Sequence, residues 1–598
     1  MGVRRLYKAP MPFNASELPQ IDFAQAFDTV YTAHLNHEPG KLQRYSHTDW
    51  RFTSLTFGSD VPPPGDVAAL ATTPNTDAAN SGAAYFPQES SYVVTAVNEE
   101  TGQESLPSTA SVVINDLTLK KNYTTVSWSA VTGANYYRVY KRRNQGEYGL
   151  VGQTEQLTFR DDNIIADLTD GPLQGRNPLT GEGNRPATVF FFDQRLGYAC
   201  TANNPNGMYL SRSADFENMD VARPVRADDA ISIRLVAEKV NAINQVLPMD
   251  DLLGLTSTGI FVIRGSNDDY LSANPPPKSR RRSARGVSRL KAITIDTVAL
   301  YTLDSGDGVY SLSYSLEQDG QKSADVSVFS PHLFEGFRIH SWAYAEKPHS
   351  IVWAARSDGK LLSFTWEQDQ EVWGWTGPHD MGGFVNWVAA VPENGEHRVY
   401  LSITRNFGGE ARHFIERMAS VRVPENAALE CYLDCAVSQQ FETPTKTIPN
   451  LHHLEGRTVS VLADGDAYAD KLVQNGEVTL EHEVTIATVG LPYVGKVETL
   501  PVIYPSQGTN AGKPQSLGQV ALKVVKTRGL KVGRREAEMY ALRARENENI
   551  GTPTDRVTGT FNAAVEPVQS GGASLIIRQE KPFSWRVTSV FLDPVLSG

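Results

Sequence analysis

The sequence predicts a mainly β, multidomain protein organised around a β-propeller. Three observations carry that expectation. At 598 residues the chain exceeds what one hydrophobic core supports, so several domains or one large repeat architecture are required. Short β-rich runs bounded by Gly, Asn, Asp and Pro clusters recur from end to end, as in "YYRVYKRRNQGEYGLVG" and "RTVSVLADGDAYADKLVQNGEVTL". Strands entered by a glycine or polar turn also return about every fifty residues: "GMYLSR" from Gly207, "GIFVIR" from Gly259, "GVYSLSY" from Gly308, "GKLLSFTW" from Gly359 and "RHFIER" from Arg412. A β-rich repeat of that length suggests four-stranded propeller blades, and five visible units set a minimum count.

Taken in order, residues 1–82 read as an N-terminal β-rich domain. Its one stretch of helical spacing is "LPQIDFAQAFDTVYTAH"; a second helical candidate, "VAEKVNAINQVL", lies farther on. Residues 83–165 form a first module, where "YFPQESSYVVTAVNEETGQESLPS" precedes "TTVSWSAVTGANYYRVYKRRNQGEYGLVGQTEQLTFRDD". Alternation places Val126, Trp128, Tyr137 and Val139 on buried faces. These phrases resemble fibronectin type III domains in a permuted order, with the last hairpin first, which termini lying close together would tolerate. Residues 166–187, "ADLTDGPLQGRNPLTGEGNRP" at their core, read as a linker, and 188–425 as the propeller. Residues 426–598 read as a C-terminal β domain able to pack with the N-terminal one, with Asp464-Gly465 and Asn475-Gly476 as turns and "YPSQGTNAGKPQSLG" as an exposed or intersubunit loop.

A net charge of -12 and a pI near 5.6 exclude a surface that binds polyanions everywhere; any such contact must be local. Cys200, Cys431 and Cys435 make neither an even disulfide set nor a zinc spacing. No run has the apolar length of a membrane span, and the N-terminus lacks the apolar core of a signal peptide. Leu6 stands where a myristoylation signal prefers Ser or Thr. Synthesis in the cytoplasm is the expectation.

Catalysis needs a constellation of residues. His34, His37 and His47 do not make the H-E-x-x-H of a zincin, and Pro39-Gly40 would break the helix it needs. His452 and His453 would point to opposite faces of a strand. "ADGDAYAD" and "LDSGDG" miss the calcium-loop pattern and read as solvated turns. No nucleophile elbow, phosphate loop or dinucleotide fingerprint occurs. The expectation is no catalytic residue, no metal, no cofactor, and a protein that is not an enzyme.

Two surface features stand out. "KSRRRSARGVSRLK", Lys278 to Lys291, holds seven Lys and Arg and no acid. It reads as a long loop entering a strand, with Lys278, Arg280, Arg281, Arg282, Arg285 and Arg289 as candidate contacts to DNA or to an acidic neighbouring subunit. Among five clustered tryptophans, Trp353 and Trp366 sit in expected strands and read as core. Trp373 and Trp375 fall in an expected turn and read as exposed contacts, while Trp387 joins the same cluster.

Several phrases, in order, resemble the tail nozzle proteins of short-tailed bacteriophages, the tail tubular protein B family. In "QIDFAQAFDTVYTAHLNHEPGKLQRYSHTDWRFTSLTFG", Pro39, Lys41, Leu42, Arg44 and Trp50 occupy the family's places, with Gly40 as spacer. In "PATVFFFDQRLGYACTANNPNGMYLSRSADFENM" the similarity lies in Gln194-Arg195-Leu196, Asn204-Pro205, Ser211-Arg212 and Asp215-Phe216. "SPHLF", "IVWAARSDGKLLSFTWEQDQEVWGWTGPHDMGGFVNWVAAVPENGEHRVYLSITRN" and "HFIERM" follow in the family's order, so the resemblance spans roughly 20–495. It implies a virion tail protein that forms a homohexameric ring beneath the portal adaptor, itself similar to tail tubular protein A. That ring would continue and gate the DNA ejection channel, with tail fibres or tailspikes and the passing genomic DNA as further partners. The competing expectation is an envelope glycan-binding or glycan-hydrolysing propeller, using blade-top carboxylates or exposed tryptophans. A cytoplasmic propeller scaffold with a localisation-like basic stretch is the weaker third.

Overall fold

The computed structural model of the chain describes residues 7–76, 84–236, 242–266, 270–315, 320–502, 513–542, 553–563, 565–566 and 572–596. Among them the structure is strands and short 3-10 turns, with no α-helix. The chain divides into two compact units, Arg5–Val326 and Ser327–Gly598 together with Met1–Arg4. That division falls inside the 188–425 segment assigned to one propeller.

In the first unit, Asp22–Ala26, Thr29–His34, His37–Ser46 and Asp49–Ser54 form a sequential antiparallel sheet. The expected helix over "LPQIDFAQAFDTVYTAH" is therefore two strands, split by a tight turn at Phe27-Asp28 where Phe27 takes φ 53°. A two-sheet sandwich follows. One sheet runs Gly149–Thr154, Tyr136–Arg143, Gln88–Val97, Ser111–Asn115; the other runs Thr158–Asp161, Tyr123–Ser127, Ala68–Thr72. Ala68–Thr72 thus belongs with this module, although the sequence places it before residue 83. Val126, Trp128, Tyr137 and Val139 are all in its core, as alternation requires. Gln88–Val97 is central, between Tyr136–Arg143 and Ser111–Asn115, so the hairpin that comes early in sequence completes the sheet.

The segment read as a linker is tied down. Gly171–Gln174 pairs with Val221–Arg223, and Leu173 and Leu179 are buried. Its Gly and Pro content is turn chemistry within packed structure.

Five antiparallel sheets of sequential strands come next, three in the first unit and two in the second. They are Pro186–Phe192, Arg195–Thr201, Gly207–Leu210, Ile231–Arg234; Ile243–Pro248, Leu252–Thr256, Gly259–Arg264, Lys278–Ser283; Ile293–Ile295, Val298–Thr302, Val309–Ser315, Gly320–Asp325; Ile339–Ala345, Ile351–Arg356, Leu361–Glu367, Val372–His379; and the three-stranded Phe384–Glu393, Glu396–Phe407, Glu410–Arg417. Every phrase of the fifty-residue repeat falls at the third strand of one of these sheets. The helical candidate "VAEKVNAINQVL" is strand from Ile243 onward; 237–241 lie outside the described residues.

The rest of the second unit is β as expected. Asp434–Ile448, Val478–Leu491, Thr458–Ala463 and Asp466–Leu472 form one sheet over a core of Val459, Val461, Val484 and Val489. Asp464 and Gly465 take φ 42° and 88°, and Asn475 and Gly476 take 56° and 71°, so both sequence-marked turns have the left-handed pairs that twist-matched hairpins need. Two smaller sheets, with Ile576–Gln579 and Gln515–Thr527 central, close the unit. The proposed loop "YPSQGTNAGKPQSLG" lies outside the described residues over 504–512, and Gln515 to Gly518 begin a strand.

Candidate functional site

The basic stretch is not a loop at its start. Lys278–Ser283 is the fourth strand of the second sequential sheet; among the described residues it pairs only with Gly259–Arg264, and its other edge is open. Lys278 and Arg280 share one face by strand alternation, and Arg282 sits where the register shifts. Exposure is as the sequence requires: Lys278, Arg280, Arg281, Arg282, Arg285 and Arg289 are all exposed.

The six cations are not equivalent. Arg281 Nη2 donates to Thr258 O at 2.8 Å, so it fastens the preceding turn. Arg285 donates to Ser323 O and Oγ at 3.3 and 3.1 Å and stands over the Tyr310 ring, bracing the third sheet. Lys291, beyond them, pairs with Asp22 at 2.8 Å and joins the N-terminal sheet. Lys278, Arg280, Arg282 and Arg289 carry the segment's outward charge. Among the described residues no carboxylate pairs with any of the six, although 68 acids outnumber 56 bases in the chain. Charged side chains on an open edge also block strand addition, a purely structural use of the same residues.

The aromatic pair behaves differently from its expectation. Trp373 and Trp375 lie on the strand Val372–His379 instead of a turn. Their cross-strand partners are Trp366 and Phe364, which put four rings on one face of the sheet. Trp375 is half-buried, stacked on Phe364 at 4.6 Å and edge-on to Phe334 at 5.0 Å. Only Trp373, 49% exposed, remains available as a contact. Trp366 is buried and Trp353 is packed against the neighbouring core, as expected; Trp387 is 40% exposed.

The residues that carry the family resemblance are structural joints. Arg195 is buried and donates to Ser211 O, Asp229 O and Ala227 O at 2.7, 2.6 and 2.9 Å, pinning the 211–229 excursion to its sheet. Arg212 pairs with Asp228 at 2.6 Å. Phe216 and Phe191 pack edge-on against Tyr31, and Lys41 reaches Glu217 at 2.6 Å, so the N-terminal sheet is fastened to the first sequential sheet. Gly40 is needed there because a Cβ would meet the Phe52 ring at 2.3 Å.

One group has the makings of a metal centre. Glu17, His34 and His37 bring ligand atoms within 4.8 Å of one another, and His34 and His37 face each other across a two-residue turn. The group is partly satisfied internally, with His34 Nε2 buried and without a hydrogen-bond partner among the described residues. Glu17 Oε2 lies 3.0 Å from His37 Nε2, and the Asn36 N–H donates to His34 Nδ1 at 3.1 Å, taking the lone pair a metal would use. Burial holds His34 below its ordinary pKa, and backbone and side-chain hydrogen bonds, the Asn14 N–H first, bring Glu17 down to about 2. His47 is outside the group, beside Arg44. His452 and His453 lie on a 3-10 turn instead of a strand. Burial raises all three thiols, Cys435 to about 12, so none is an activated thiolate. Asp464 of "ADGDAYAD" caps Thr485 and Ile486 N–H groups, which is turn closure and not calcium ligation.

Sequence reasoning missed Arg176 and Arg234, which line an open cavity in the first unit. Their separation in the chain gave no local spacing to read, and Arg176 was masked by the linker-like composition around it.

No family model and no curated protein matches the chain. Among solved structures, one protein described as a 6-phosphogluconolactonase, from Bacteroides fragilis, aligns with 9% identity over 58% of this chain and all of its own, at a TM-score of 0.22. So slight an overlap fixes neither fold nor function.

Proposed function

We propose that the chain is a structural component of a bacteriophage short tail. Copies of it, six by the family resemblance, form the ring-shaped nozzle below the portal adaptor that continues and gates the DNA ejection channel. One observation carries the reading: the five phrases of the fifty-residue repeat fall on five consecutive sheets of sequential strands, each at the third strand, and the nozzle-like phrases lie in order on the first, fourth and fifth of those sheets. In this reading those sheets are propeller blades and the 4-plus-3-stranded sandwich is the permuted fibronectin type III-like module. The buried Arg195 and the Lys41–Glu217 pair support it, because a resemblance carried by structural joints fits an architectural part.

A conduit must let DNA slide, and each phosphate neutralised by a fixed cation adds to its hold. An acidic chain with one local basic edge meets that demand. The outward cations, Lys278, Arg280, Arg282 and Arg289, then face either phosphate or the acidic surface of the next copy.

Electron microscopy of the purified full chain, alone and mixed with its portal adaptor, tests the proposal. A ring with a central hole is expected. Monomers in both samples would sink it.

A further inference from the structure

We propose that the cavity lined by Arg176 and Arg234 binds an anionic sugar, one bearing a carboxylate or a phosphate. The inference goes beyond the tail reading and does not depend on it. The cavity has a volume of about 560 Å³, within the range of roughly 300–1,000 Å³ usual for small-ligand sites. Its walls come from segments far apart in sequence, which is why no motif announces it.

Arg176 and Asn184 come from the packed segment that the sequence presents as a linker. Ser232 and Arg234 come from Ile231–Arg234, the last strand of the first sequential sheet. On that strand Ile231 and Ile233 are buried while Ser232 and Arg234 are exposed, so the two polar side chains share its outer face. Arg176 Nη2 donates to Ser232 Oγ, which brings its guanidinium to the same face. Arg234 Nη2 donates to Asn204 Oδ1 at 2.8 Å.

Both guanidiniums are therefore held in place by neutral oxygens. Among the described residues neither has a carboxylate at ion-pair distance; the buried Asp220 accepts the backbone N–H of Arg176, at 3.2 Å, and not its side chain. Two positioned cations facing one concavity, on a protein of net charge -12, repel each other until an anion lies between them. Each keeps further N–H donors free for a forked bond to carboxylate or phosphate.

The remaining lining decides what carries the anion. Asn184 and Asn204 present amides that retain unused donor or acceptor capacity, and Ser232 a hydroxyl, which match sugar hydroxyls in both directions. Tyr209, a core residue only 9% exposed, backs the cavity wall. A bare phosphate would leave these groups unanswered.

Calorimetric titration of the full chain tests the site with glucose 6-phosphate and glucuronate, against glucose, inorganic phosphate and a short single-stranded oligonucleotide. Saturable binding of at least one charged sugar, ten-fold or more tighter than glucose, is expected. R176S/R234S should abolish it with circular dichroism and melting temperature retained, and R176K/R234K should weaken it while keeping the charge preference. If the serine pair misfolds, the lysine pair alone decides. No saturation, equal binding of glucose, or unchanged binding in the variants overturns the site. Inorganic phosphate binding as tightly as the sugars, or the oligonucleotide more tightly, overturns the sugar assignment. Failure to see a ring by microscopy would leave this result untouched.

Discussion

Among the described residues, buried charge is answered by partners at some sites and displaced in pKa at others. Glu430 is the answered case. It is buried and accepts from Ser584 N and Oγ at 3.1 and 2.8 Å, with Arg556 at 3.2 Å and Arg528 at 3.4 Å, so it ties the segment that follows the last sequential sheet to the C-terminal strands. Removing one partner from such a network leaves the others desolvated and unpaired. Asp434 is the displaced case. Burial pushes its carboxyl up to about 7 from 3.8; Arg405 opposes the rise, and Glu416 and Asp380 add to it. The folded state thus keeps a proton that the unfolded chain releases. Its contribution is fully present below 3.8 and is lost as pH rises towards about 7. Asp434→Asn, which cannot ionise, should therefore be more stable than the parent near pH 8, by about 1–3 kcal/mol, and equal to it near pH 4. Urea unfolding at the two pH values checks this; a loss of stability near pH 8 would contradict it.

At the scale of elements, strands and turns were legible because their signals are local. Asp464-Gly465 and Asn475-Gly476 announced their hairpins, and the glycine-led repeat announced five third strands. The failures have particular physical causes. Phe27 imitated a helix face, yet it is 94% exposed at a turn, so an apolar residue counted towards the wrong period. Leu173 and Leu179 were lost among Gly and Pro and are core. The basic stretch was legible as charge but not as structure, since only the pairing with Gly259–Arg264 reveals an edge strand. That pairing divides its cations into two kinds with separable effects. R285S loses the bonds to Ser323 and the contact with Tyr310, and should lower stability by about 1 kcal/mol. K278S/R280S/R282S touches no such contact and should stay within about 0.5 kcal/mol of the parent. Equal losses in the two variants, measured by urea unfolding, would erase the distinction.

At the scale of the whole molecule, the candidate sites were least legible, because each gathers residues that only topology brings together. Arg176 with Arg234, and Glu17 with His34 and His37, are examples. Assembly poses the same problem between copies: chains of net charge -12 repel one another, so a ring needs opposite charge at its contacts. The unpaired Lys278, Arg280, Arg282 and Arg289 supply it if they face an acidic surface of the next copy. Exposed ion pairs of that kind weaken as the screening length falls from about 8 Å at 0.15 M salt to about 3 Å at 1 M. Mass photometry should then find rings at about 0.15 M salt and smaller species at about 1 M, whereas K278S/R280S/R282S/R289S should already be dissociated at the lower concentration. Rings unmoved by either change would rule out the neighbour contact and, on the nozzle proposal, leave these cations to DNA phosphate. Under that proposal slower DNA delivery by virions carrying the variant is then the expected signature.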